Sequence, residues 1–70
     1  MLRERQILEA LTNGVETIPA IVARIYVDVA PALHPVAALS VESHLKKLAR
    51  EGRAREDKQR DRPSRWMVTR

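Results

Sequence analysis

A chain of 70 residues with no cysteine has one route to a stable fold, which is a single core packed from its own apolar side chains. Neither a disulfide nor a thiolate-bound zinc can brace it, and so short a chain buries too little surface to support two independent cores. With no Phe, one Trp and one Tyr, that core must be built from Ile, Leu, Val and Ala. The sequence therefore reads as one domain over residues 1–70, and the question is which elements bring those aliphatics together.

Leu2, Ile7, Leu8 and Leu11 fall at helical spacing with charges on the other faces. Asn13-Gly14 supplies residues that tolerate the left-handed conformation ending a helix, so the spacing predicts a helix over about 2–13. Val15-Glu16-Thr17-Ile18 is a short β-branched stretch able to pair as a minimal strand. Thr17 before Pro19 marks the start of a second helix, about 18–27, in which Ile18, Ile21, Val22 and Ile25 form one apolar stripe. Pro31 and Pro35 bracket a segment that must break, because each proline disfavours helical conformation in the residue before it. A third helix is expected over about 36–51, with Ala37, Ala38, Val41, Leu45 and Leu48 facing inward and Gly52 as its cap.

After Gly52 the texture changes. Arg53-Ala54-Arg55 and Arg65-Trp66-Met67-Val68-Thr69 have strand character, and the polar, Pro63-containing stretch 56–64 between them reads as a long, mobile tip. The expectation is a β-hairpin over about 53–69 with Trp66 as a lid on the core. Helix, short strand, helix, helix, hairpin is the order of a winged helix-turn-helix: a mainly α (α+β) domain of three helices with a small β-hairpin wing.

Charge is distributed unevenly along this framework. Residues 1–49 hold five Lys and Arg against five acids, whereas residues 50–70 hold eight against four, so the whole net charge of +4 lies in the last 21 positions. A basic end on a neutral body suggests a phosphate-facing edge, tempered by Glu51, Glu56, Asp57 and Asp61. The candidate contacts to nucleic acid or another anionic substrate are Lys46, Lys47, Arg50, Arg53, Arg55, Lys58, Arg60, Arg62 and Arg65. In a DNA-reading winged helix the third helix enters the major groove. Here its outward N-terminal half offers Leu39 and Glu42 in place of the Asn, Gln or Arg that pair with base edges, so Leu39 and Glu42 are candidate protein contacts.

Catalytic and metal sites find no support. His34 lies in the proline-bracketed loop, which it is expected to pin, and His44 lies at the edge of the third helix's core stripe. Neither has a Cys or carboxylate at ligand spacing. Ser40 and Ser43 have no oriented base or oxyanion donors, and two glycines make no phosphate loop. No apolar run approaches the ~20 residues of a membrane span, and Met1-Leu2-Arg3-Glu4-Arg5 does not begin a signal peptide. The expected setting is cytoplasmic, with no membrane partner.

Thr17-Ile18-Pro19, Ile21-Val22, Ile25-Tyr26, Leu33-His34-Pro35, Ser40-Val41, His44-Leu45, Lys47-Leu48 and Glu51-Gly52 together resemble the β-lactamase-associated winged-helix domain, over roughly residues 2–55. The charged stretch 56–64 departs from that pattern. Such domains occur at the C-terminus of metallo-β-lactamase-superfamily hydrolases, including relatives of glyoxalase II and of an animal mitochondrial endoribonuclease. The resemblance implies that this chain is a C-terminal piece of a longer enzyme and is not itself catalytic. It also implies that two metal ions, zinc, sit on the preceding domain in a His-x-His-x-Asp-His motif absent here, and that the partner is that catalytic domain, with RNA or DNA as a further one. Two alternatives stay open: a free-standing DNA-binding regulator and a small homodimerisation domain.

Overall fold

The computed structural model describes residues 2–69. Three helices run in order, α1 (Leu2–Thr12), α2 (Ile18–Ile25) and α3 (His34–Arg50), with a single 3-10 turn at Pro31–Leu33 leading into α3. A hairpin of β1 (Ala54–Gln59) and β2 (Arg62–Val68) follows. This is the expected winged helix, three helices with an antiparallel two-stranded wing.

Its core gathers Ile7, Ala10 and Leu11 of α1, Ile21 and Val22 of α2, Ala37, Val41, Leu45 and Leu48 of α3, and Ala54 and Trp66 of the wing. The α2 and α3 stripes are those read from periodicity, and Trp66 is buried as the lid. In α1 the buried face differs from expectation. Leu2 is exposed, and Glu4 takes the place facing the core, because positions 4, 7 and 11 share one side of the cylinder while position 2 lies almost opposite position 4.

Both glycines end helices in the same way. After α3, the Gly52 amide donates to Ala49 O at 3.1 Å and the Arg53 amide to Leu48 O at 2.8 Å, with Gly52 at φ +75°. After α1, the Gly14 amide bonds Leu11 O at 3.0 Å and the Val15 amide bonds Ala10 O at 2.9 Å. Each is a Schellman closure, which needs a left-handed residue that glycine supplies without strain.

Four helix ends depart from the sequence reading, α3 closing at Arg50 among them, and the expected short strand is absent. α1 ends at Thr12 and α2 at Ile25, since Tyr26 leaves helical geometry (φ −111°, ψ 41°). α3 begins at His34, two residues earlier than expected. His34 is helical despite preceding Pro35, and its ring Nε2 donates to Val29 O at 3.2 Å, pinning the loop as foreseen. Pro35 lies in the first helical turn, where a missing N–H leaves no bond unmade. The stretch 15–18 is not a strand: Ile18 already opens α2, and the segment meets the wing through one bond, from the Trp66 amide to Glu16 O at 2.7 Å.

The largest departure is the wing. The stretch expected as a long tip is almost wholly paired, with Arg55 opposite Met67, Glu56 opposite Trp66, Asp57 opposite Arg65 and Gln59 opposite Arg62. Only Arg60 and Asp61 form the turn. The register slips between Asp57 and Gln59, so that Pro63 and Ser64 together oppose Lys58. A bulge is one of the few places in a ladder where proline fits, because its absent N–H is not needed there. Backbone pairing, with Asp57 opposite Arg65, holds strands whose composition alone reads as loop.

Candidate partner-binding surface

α3 presents two faces to its surroundings. The inner one is the core stripe just described. The outer one runs Val36, Leu39, Ser43, Lys46, Arg50, spaced alternately three and four residues apart, which places them in one line along the helix, and all five are exposed. The line is apolar in its N-terminal half, where Val36 is 65% and Leu39 66% exposed, and cationic in its C-terminal half. Glu42, proposed beside Leu39 as a protein contact, is half-buried at the margin of this line.

The apolar half continues sideways. Leu33 is also largely exposed, and a shallow groove of about 260 Å³ opens between the α2–α3 connection and α3, lined by Tyr26, Val29, Leu33, Val36, Ala37 and Ser40. From Val29 to Val41 there is no Lys, Arg, Asp or Glu, and with Leu33, Val36 and Leu39 exposed this stretch forms an apolar shoulder. Sequence reasoning singled out Leu39 alone. Val36 and Leu33 carried the same signal, an apolar side chain off the core stripe.

All nine candidate basic contacts are exposed, but they are not equivalent. Lys47 Nζ bonds Glu4 Oε2 at 2.9 Å and Arg53 Nη1 bonds Glu4 Oε1 at 3.0 Å. Glu51 lies 3.7 Å from Lys47 and 3.8 Å from Arg53. The buried Glu4 carboxylate thus ties α1 to the last turn of α3 and to the root of the wing. The Lys47 hydrogen bond holds the Glu4 carboxyl below its ordinary value; burial opposes this, and the charges of Lys47 and Arg53 reinforce it. The same bond, with Glu4's and Glu51's charges, pushes the Lys47 ammonium up. Glu4 was not foreseen. The available signal was an acid on the line of Ile7 and Leu11, with two cations in excess on the segments packed against it.

Arg65 is likewise committed, ion-paired to Glu16 and opposite Asp57. Among the described residues the other six make no ion pair, and they fall into two groups: Lys46 and Arg50 on α3, and Arg55, Lys58, Arg60 and Arg62 along the hairpin. Within the second group Arg55 Nη2 lies 3.8 Å from Met67 Sδ, and Glu56, Asp57 and Asp61 are interleaved. Trp66 is only 1% exposed, so it cannot stack on a base.

Among the described residues no three His, Cys, Asp or Glu side chains converge in a manner that would hold a metal ion, and no helix is long and apolar enough to cross a membrane.

The sequence profile of the beta-lactamase associated winged helix domain matches residues 17–66, a span that takes in α2, α3 and the hairpin through Trp66. The chain belongs to this family. The match extends beyond residue 55, where the sequence resemblance ended, and includes the charged stretch 56–64 of the wing. No individual curated protein and no solved structure is significantly similar to the chain.

Proposed function

We propose that this chain is the non-catalytic accessory module of a metallo-β-lactamase-fold hydrolase. It forms the C-terminal part of that enzyme, packs on the catalytic domain and shapes the approach to its active site. The observation that carries this reading is the outer face of α3. Where a DNA-reading winged helix places polar side chains at base edges, this one presents Val36 and Leu39, a surface suited to protein. The two zinc ions of such hydrolases would be held by the catalytic domain, since this sequence has no His-x-His-x-Asp-His motif and its described residues gather no ligand set. The unpaired cations Arg55, Lys58, Arg60 and Arg62 would meet the phosphates of RNA or another anionic substrate without reading sequence.

The deciding experiment is to read the gene upstream of the Met1 codon. An in-frame lactamase-fold domain carrying His-x-His-x-Asp-His supports the proposal, and a stop codon or an unrelated domain overturns it. A second reading, a free-standing DNA-binding regulator, is favoured by one observation, the exposure of all nine basic residues. Titration of labelled duplex at two salt concentrations separates the two. A regulator binds tightly, with sequence dependence and a steep fall with salt; an accessory module binds duplex weakly and without sequence preference.

A further inference from the structure

We infer that the outer line of α3 is a docking site for an acidic amphipathic helix of the catalytic domain, with that helix's apolar residues against Val36 and Leu39 and its carboxylates against Lys46 and Arg50. The inference rests on the docking reading above, and it names the face and the chemistry of what covers it.

Residues alternating three and four apart form the seam with which one helix packs lengthwise on another at a shallow crossing angle. Val36 to Arg50 spans about 21 Å at 1.5 Å per residue, enough for four turns of a partner. The apolar end has a place for a large side chain in the adjoining groove of about 260 Å³. Lys46 and Arg50 make no ion pair among the described residues, unlike Lys47 one residue away, so their charges are free to be met by a partner.

The line is not self-complementary. Two copies packed antiparallel would set Lys46 and Arg50 on the apolar half of the other, and packed parallel would set cation on cation. This face therefore does not make the homodimer that was the remaining alternative. Nucleic acid satisfies only the cationic half and leaves Val36 and Leu39 against phosphate or water. The seam is also narrow. An interface between free chains needs roughly 1,000 Å² to persist, whereas a neighbour in the same chain enjoys an effective concentration in the millimolar range. That favours a helix of the covalently attached domain over a separate protein.

The test is a titration of the 70-residue chain, followed by amide chemical shifts, with a synthetic helical peptide of about 20 residues whose seam carries Leu in one half and Glu in the other, taken to millimolar concentration to match that of an attached domain; no shift on α3 at that concentration overturns the inference. The control peptide has Lys in place of Glu. The expected result is saturable shifts at Val36, Leu39, Ser43, Lys46 and Arg50, with the control binding about tenfold more weakly because two exposed ion pairs are lost. Lys46→Glu with Arg50→Glu should invert that preference, and Leu39→Asp should abolish binding while leaving the circular dichroism unchanged. Equal binding of the two peptides, shifts centred on the hairpin, or displacement of the peptide from α3 by a short RNA would each overturn the inference. The upstream reading frame is decided separately, so failure of the seam and failure of the accessory reading are distinguishable.

Discussion

Two leucines six residues apart on α3 provide the sharpest test of this structure, because the same truncation should be costly at one and nearly neutral at the other. Leu45 is 0% exposed and Leu39 66% exposed. Burial of a leucine side chain stabilises by ~1.5–3 kcal/mol; the unfilled cavity left in a core adds to this, giving ~2–5 kcal/mol for Leu→Ala. Leu45 is fully buried within the aliphatic core, so Leu45→Ala should cost about 3 kcal/mol. A domain of this size has a total stability of ~3.5–10 kcal/mol, so the loss would be a third or more of the whole. It would lower Tm by ~12–24 °C at ~4–8 °C per kcal/mol. Leu39→Ala removes side chain already in water and should change stability by less than ~0.5 kcal/mol. Urea unfolding followed by the fluorescence of Trp66, the single Trp, measures both. Equal losses, or a larger loss at Leu39, would mean that α3 is rotated about its axis and that both the core and the docking face have been assigned to the wrong sides.

Gly52→Ala should destabilise by ~1–2 kcal/mol, because φ +75° places a side chain in the left-handed region; open space around the Cα makes the strain purely conformational, and chemical denaturation reads it. Glu4→Gln should destabilise by loosening α1 from the wing root, seen as a lower urea midpoint and faster amide exchange across α1. The pH dependence of wild type follows from the lowered Glu4 carboxyl: its contribution is complete above the ordinary carboxylate pKa and is lost as pH falls through the lower, folded-state value. Stability should therefore fall on acidification in a way that Glu4→Gln flattens, and an unchanged acid limb in that variant would remove Glu4 from the account. Trp66→Phe should cost less than Leu45→Ala, since the buried indole Nε1–H finds no acceptor among the described residues and removing an unsatisfied donor returns ~1–3 kcal/mol against the lost packing; a larger loss than at Leu45 would refute this.

Much of the architecture was legible from local physics. The stripes of α2 and α3 follow from periodicity, the glycine closures from conformational preference, and Trp66 as lid from its being the one large side chain beside an aliphatic core. A single core was required by length and the lack of cysteine. What remained hidden in each case depended on residues distant in sequence. Stretch 56–64 has the composition of a loop, and only pairing with residues on the other side of a two-residue turn, with a bulge to seat Pro63, makes it strand. Glu4 looks like a surface acid until α1 packs on α3, when Lys47 and Arg53, more than forty positions away, converge on it. The basic residues could be counted in the sequence, but their division could not, because whether a lysine is free or tied depends on what the fold brings within 4 Å of it. Periodicity determines which face of a helix is buried; the partners of its polar groups, and the chemistry left exposed on the opposite face, are decided by tertiary packing, since charge pairing and backbone pairing act across space and leave no period along the chain.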